Sequence, residues 1–355
     1  MAGLDRQKEF SGTMAVRAAH RIDIDALTRY MSEHVGGFAG PLTIEQFRGG
    51  QSNPTYLLTT PERHYVLRRK PPGKLLKSAH AVEREYRVLS ALADTGVPVP
   101  RTYALCEDES VIGTRFFIME HVEGRIIWEP RLPGFSTDER AAVYESMNET
   151  IARLHSVDYE AAGLADFGKP GNYFARQISR WSKQYRASET APNAAMDRLM
   201  AWLPAQIPAA DDTTIVHGDF RLDNMILDAT QPRVIAVLDW ELSTLGHPLS
   251  DFSYHCLLYR LPPDLFNGLQ GADLAVLGIP SESANIAAYC RRTGRTRIDD
   301  WDYYMAFNLF RLAAICQGIM GRVVAGTASS RFAREMGAKA APLAEAGWAV
   351  VERMG

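Results

Sequence analysis

From about Gly124 onward the chain reads as helix after helix, broken by two short strand-like runs, Thr214–His217 and Val234–Asp239. What those runs end on constrains the chain most. The first opens into His217-Gly218-Asp219-Phe220-Arg221-Leu222-Asp223-Asn224, and the second closes on Asp239-Trp240-Glu241. Three oxygen-bearing side chains therefore recur in fixed order: Asp219, Asn224 five residues on, and Asp239 fifteen beyond that. Asp219 is a carboxylate suited to orient or deprotonate a hydroxyl. Asn224 offers an amide oxygen and Asp239 a charged oxygen to a hard cation, and Mg²⁺ takes a few protein oxygens together with phosphate and water. Asp and Asn are most often plain turn formers, so a hairpin with polar turns is the competing reading. The third group, at the end of a second apolar run, favours phosphoryl transfer.

The residues before Gly124 have a different texture. Residues 1–20 are polar and mixed and read as a loose arm, and Ile22–Val35 has helical spacing with Asp23 or Asp25 placed to cap it. Short strands are expected at Ile44–Phe47, Thr55–Thr59, His64–Lys70, Arg101–Cys106 and Arg115–His121, with a helix over Ala79–Ala93 whose Val82, Tyr86, Leu89 and Leu92 share one face. That is a five-stranded antiparallel sheet with one helix. Helices follow at Asp138–His155, Tyr173–Tyr185, Ala194–Leu203, Ser283–Thr293, Asp302–Gly326 and Phe332–Arg353. The expectation is an α+β protein with a nucleotide-binding lobe and hinge over 21–122 and a larger helical lobe over 123–355.

Composition narrows the class. At 355 residues with 46% hydrophobic side chains the chain can bury a large core, and a net charge of −3 argues against a broad nucleic-acid surface. Cys106, Cys256, Cys290 and Cys316 lie far apart with no CxxC pair, which suits reduced core cysteines. No apolar run is judged long enough to span a membrane, and the opening MAGLDRQKEF lacks a signal peptide's hydrophobic segment. The expected setting is cytoplasmic, with a small-molecule hydroxyl substrate as partner and neither nucleic acid nor membrane. The sequence carries no signal for an oligomeric state.

The pattern HGDxxxxN followed by an apolar strand and Asp resembles the aminoglycoside phosphotransferase family, a branch of the bilobal protein-kinase-like fold. His217-Gly218-Asp219 stands where protein kinases have His-Arg-Asp, and Trp240-Glu241 follows Asp239 in place of Phe-Gly; both departures point to a small-molecule kinase. The resemblance runs from about Ile44 to Arg322. It implies ATP and Mg²⁺ as cofactors, Asn224 and Asp239 as metal ligands and Asp219 as the catalytic carboxylate. Arg221 becomes either a cation meeting the transferred phosphoryl group or one half of a loop salt bridge. Gly49, Gly50, Gln51, Ser52 and Asn53 would cover the phosphates, since glycine lets backbone N–H groups approach an anion. Arg68 stands where the phosphate-gripping lysine is usual, with Lys70 as the alternative and Glu85 as partner. Met119, Glu120 and Val122 would form the adenine-facing hinge, or else an ordinary edge strand. His217 is read as structural, and Asp251 as a support behind the loop.

The acceptor is read from charge. The C-terminal part shows no dense carboxylate cluster of the kind a polycationic drug needs, while Arg291, Arg292, Arg295, Arg297, Arg311 and Arg322 suit an anionic substrate. Stretches such as YVLRRKPPGKLLKSAHAVEREYRVLSAL, GVPVP and CEDESVIGT resemble the kinase-like domain associated with acyl-CoA dehydrogenases, implying a hydroxyacyl-CoA-type metabolite. An aminoglycoside O-phosphotransferase and a catalytically weak, pseudokinase-like nucleotide-binding module are the alternatives.

Overall fold

Alternation along the early strands builds a sheet with two unlike faces, and the second face makes the site. The structure, a computed structural model, describes residues 11–48, 53–71, 81–328 and 332–354. Strands β1 (Thr13–Met14), β2 (Thr43–Phe47), β3 (Thr55–Thr59), β4 (His64–Arg69), β5 (Thr102–Cys106) and β6 (Phe116–Glu120) form an antiparallel sheet in the order β1-β2-β3-β4-β6-β5. The sixth strand, β1, comes from the segment expected to be loose, and pairs Thr13 with Phe47 and Met14 with Gln46. Helix α1 (Ile24–His34) is capped by Asp23, whose side chain accepts from the Ala26 N–H. Its Leu27 and Met31 share a buried core with Tyr65 and Leu67 of β4 and Phe116 and Ile118 of β6. Successive strand side chains point to opposite faces. Val66, Arg68, Phe117 and Met119 therefore leave the sheet on the other side, where Tyr86 of α2 (Val82–Leu92) meets Phe117 edge-on.

The described chain packs as two compact units, Met1–Arg153 with Glu160–Leu164 and Arg221–Ser243, and Leu154–Tyr159 with Ala165–Phe220 and Thr244–Gly355. Residues 221–243, beyond the boundary at 123 expected from sequence, pack with the sheet. Helix α3 (Thr137–His155) runs out of the first unit at Arg153. The four later strands, β7 (Thr214–Val216), β8 (Met225–Leu227), β9 (Val234–Val237) and β10 (Thr244–Gly246), form two antiparallel pairs. The pair β8–β9 belongs to the first unit and β7–β10 to the second.

The second unit is built on helices: α4 (Tyr173–Ser188), α5 (Ala194–Trp202), α6 (Pro248–Cys256), α7 (Leu274–Leu277), α8 (Glu282–Thr293), α9 (Trp301–Val324), α10 (Ala333–Ala338) and α11 (Ala340–Glu352). Every residue of α9 from Tyr303 to Ala314 is buried, because α4, α6, α10 and α11 all pack on it. By length and composition α9 could cross a membrane, contrary to the reading that no run is long enough. A helix apolar all round is also what the centre of a helical core requires. The single helix expected over 332–353 is two. Pro342 cannot donate a backbone hydrogen bond and crowds the carbonyl four residues back, so the chain restarts at Ala340 with the proline in the first turn. Helix α6 and strand β10 had no clear sequence signal.

Candidate active site

The first unit contains a cavity of about 750 Å³, lined among others by Val66, Arg68, Met119, Val122, Asn224 and Asp239. Arg68 is its buried cation. Its Nε lies 2.7 Å from Glu85 Oε2 and its Nη2 2.5 Å from Asp239 Oδ1, with Glu241 Oε2 at 3.7 Å. One guanidinium thus serves three carboxylates. Planar, forked geometry permits that, whereas an ammonium is a single point charge. Burial pushes the Glu85 carboxyl up to about 7; Arg68 pulls it back, and the negative charges of Asp239 and Glu241 add to the push. Lys70, the alternative grip, instead pairs with Glu83 at 3.0 Å.

Asn53 is fully buried and its amide donates to Glu85 Oε1 at 2.9 Å and to Glu241 Oε2 at 3.4 Å. It braces the carboxylates that hold Arg68. Gly49, Gly50, Gln51 and Ser52 lie outside the described residues. Met119 is cross-strand partner to Val66 on the cavity face, while the exposed Glu120 returns its side chain to the Arg101 N–H. After Glu120 the strand ends, and Val122 and Glu123 line the cavity with backbone N–H groups that have no partner among the described residues. Strand β6 is paired on both sides, by β4 and β5, so it is not the edge strand of the alternative reading; the backbone that leaves it can pair with a planar donor–acceptor ligand. Gly124 follows because nothing larger fits: a Cβ there would meet the Leu227 carbonyl oxygen at 2.3 Å.

Leu227 belongs to the hairpin that carries the oxygen donors. Met225 pairs with Val237, and Leu238 N–H donates to the Asn224 carbonyl at 2.8 Å, so Asn224 and Asp239 end neighbouring strands. Asp239 has φ 67° and ψ 58°, the left-handed region that Asp and Asn tolerate better than most residues. Trp240, buried behind it, donates its indole N–H to the Val237 carbonyl and fixes the turn. Arg221 pairs with Asp223 at 2.9 Å, the loop salt bridge of the two readings.

Asp219 lies in the second unit, in the loop after β7. Gly218, at φ 84°, turns that loop. The buried Asp251 carboxylate on α6 accepts from the His217 N–H at 2.7 Å and the Gly218 N–H at 2.9 Å, with His155 Nε2 at 3.4 Å. Burial opposes ionisation of Asp251, but the hydrogen bond and charge of His155 and the approach of His217 outweigh it and hold the carboxyl below its usual range. Asp251 thus supports the loop from behind. His217 is buried and accepts on Nδ1 from the Asp219 N–H at 3.2 Å, a structural role. Asp219 itself receives the Tyr254 hydroxyl on Oδ1 at 2.5 Å. Sequence reasoning missed Glu241 and Tyr254. The first stood two residues past Asp239 and was legible; the second is an ordinary helical tyrosine until α6 is placed.

An antiparallel sheet carrying a buried cation–carboxylate pair, a cavity-lining segment after β6 and a hairpin with paired oxygen donors defines a kinase-like phosphotransferase fold of the α+β class. Residues 43–287 match the model of the phosphotransferase enzyme family, and the chain belongs to that family. A solved structure from Ralstonia eutropha, provisionally named an aminoglycoside phosphotransferase, is 57% identical with a TM-score of 0.88, covering 94% of this chain and 99% of that one. A thermostable aminoglycoside phosphotransferase APH(4)-Ia, solved with AMP-PNP and hygromycin B, shares the fold at 17% identity and TM-score 0.60, over 92% of this chain and 99% of that one. Acyl-CoA dehydrogenase family member 10 of Mus musculus is 48% identical over 95% of this chain and 32% of its own length. Family member 11 of Homo sapiens is 42% identical over 94% of this chain and 44% of its own length. The chain thus spans less than half the length of these curated relatives.

Proposed function

We propose that this chain is an ATP- and Mg²⁺-dependent phosphotransferase acting on a hydroxyl of an anionic small molecule, of the hydroxyacyl-CoA type. The observation that carries the reading is Arg68, buried at the wall of the cavity and shared between Glu85 and Asp239. In this reading the adenine pairs with the backbone at Glu120–Val122, where the chain leaves β6, and Arg68 grips the phosphates. Asn224 and Asp239, both oxygen donors lining the same cavity, would hold Mg²⁺, which when bound neutralises charge on the β- and γ-phosphates. The acceptor oxygen forms a bond to the γ-phosphorus as the bond to the β,γ-bridging oxygen breaks and ADP leaves. The acceptor's proton passes to the Asp219 carboxylate.

The acceptor class rests on charge. Two of the arginines noted in the sequence are internally committed: Arg295 to Asp212 at 2.6 Å and Arg311 to the Gly218 carbonyl at 2.5 Å. A different set supports an anion. Arg180 and Lys183 lie together on one face of α4 with no carboxylate among the residues beside them, while Arg176 on the same face is held by the Gly171 and Lys169 carbonyls. A polycationic acceptor would be disfavoured beside them. The relatives named as acyl-CoA dehydrogenase family members favour a CoA-linked acceptor, and the provisional name of the Ralstonia structure favours an aminoglycoside.

The test is transfer of γ-labelled phosphate from Mg·ATP to hydroxybutyryl-CoA and to kanamycin, compared as kcat/KM at one ionic strength. Hydroxybutyryl-CoA should be preferred, and Asp219→Asn should lower kcat by about 10²–10⁴-fold, the usual scale of a general base, with little change in the KM for ATP. A kanamycin preference would overturn the acceptor class. Full activity of Asp219→Asn when chemistry limits turnover would remove Asp219 from its role.

A further inference from the structure

The geometry points to Tyr254 as a positioning residue that sets the rotation of the Asp219 carboxylate for proton transfer. This rests on the reading of Asp219 as the general base. The Tyr254 hydroxyl donates to Asp219 Oδ1 at 2.5 Å, across 35 residues of sequence. Tyr254 lies three residues after Asp251 on α6, so the two share a helix face. One holds the backbone of the loop through the His217 and Gly218 N–H groups, and the other holds the side chain that the loop presents.

A second element locks the tyrosine. Arg311, buried on α9, donates Nη2 to the Gly218 carbonyl at 2.5 Å while its guanidinium carbon lies 5.2 Å from the centroid of the Tyr254 ring. A guanidinium over an aromatic face is attracted by the ring quadrupole. Arg311 therefore ties the loop backbone and the ring of Tyr254 to one rigid, buried helix. An aspartate χ2 is a broad, soft torsion; fixing one carboxylate oxygen fixes the plane of both. A general base works only within hydrogen-bond reach of its proton, and a site held loosely loses rate far from any change in chemistry.

Tyr254→Phe removes the hydroxyl and keeps the ring under Arg311, so the fold and its melting temperature should be kept. With Mg·ATP and hydroxybutyryl-CoA, and with ATP hydrolysis by water as a second readout, kcat should fall about 10- to 100-fold, the scale of one hydrogen bond to a charged acceptor. The KM for ATP should stay within about twofold. In an Asp219→Asn background the same change should have little further effect, because Tyr254 acts through Asp219. Crystal structures of the wild type and Tyr254→Phe give a readout free of any acceptor: the Asp219 carboxylate should be single and fixed in the first, and rotated or split in the second. An unrotated carboxylate in Tyr254→Phe, or unchanged kcat while Asp219→Asn collapses, overturns the positioning role and spares the general base. Unchanged kcat in Asp219→Asn alone overturns the reading beneath it.

Discussion

Arg68 Nη2 lies 2.5 Å from Asp239 Oδ1, joining β4 to the turn after β9 across 171 residues of sequence. The same guanidinium reaches Glu85 through Nε, so it meets two carboxylates from two separate nitrogens, where a lysine has one compact ammonium. Arg68→Lys should therefore keep the charge and lose one pairing, lowering kcat/KM for ATP by about 10- to 100-fold, the scale of one charge-assisted hydrogen bond. Arg68→Ala leaves Glu85 buried without its cation and should destabilise the fold by about 3–5 kcal/mol. Steady-state kinetics and urea unfolding check the two changes. Wild-type kcat/KM in Arg68→Lys would show that the fork is not needed.

Asp239 sits at a left-handed turn that Asn also tolerates, so Asp239→Asn removes charge with little backbone strain. We expect kcat to drop by about 100-fold or more, on the scale of losing one preorganised electrostatic contact, with a lower melting temperature because Arg68 loses one of its carboxylates. Calorimetric binding of ATP with and without Mg²⁺ separates the causes. If Asp239→Asn kept the full Mg²⁺ enhancement of ATP binding, its place as a metal ligand would be lost.

Acid should loosen the loop that carries Asp219. The Asp251 carboxyl is held below its ordinary range in the folded protein, so the unfolded chain takes up a proton first as the pH drops. The resulting stabilisation is present above about pH 4, the unperturbed value, and is lost as the pH falls through the lower folded value. Asp251→Asn should cost about 3 kcal/mol at neutral pH and flatten the pH dependence of stability in the acid range. Urea midpoints measured from pH 3 to 7 check this; parallel curves for the two proteins would count against it.

Much of this protein was written locally. Strands such as Thr55–Thr59 were read at their observed bounds, because alternation has a period that no tertiary context needs to supply. A helix cap at Asp23 or Asp25 and the order Asp219, Asn224, Asp239 were also legible, since each lies within a short window of sequence, and the structure selects Asp23. Asp251 was read as the support of its loop on resemblance, and its hydrogen bonds to the His217 and Gly218 N–H groups give that support a geometry.

Tertiary structure decided the rest. Arg68 pairs with Glu85 and Lys70 with Glu83, a partition that sequence leaves open because Glu83 and Glu85 look alike there. Residues 221–243 pack with the sheet although helices flank them on both sides, because the hairpin β8–β9 pairs its edge with Arg125 and Val237 donates to the Pro98 carbonyl. Cations that sequence offered to a substrate turned out to be internal, as Arg295 and Arg311 show. Tyr254 acquires meaning only where α6 delivers its hydroxyl to Asp219. Local periodicity fixes where a side chain points along its own element; which partner it meets depends on contacts between residues far apart in sequence, and no short window contains them.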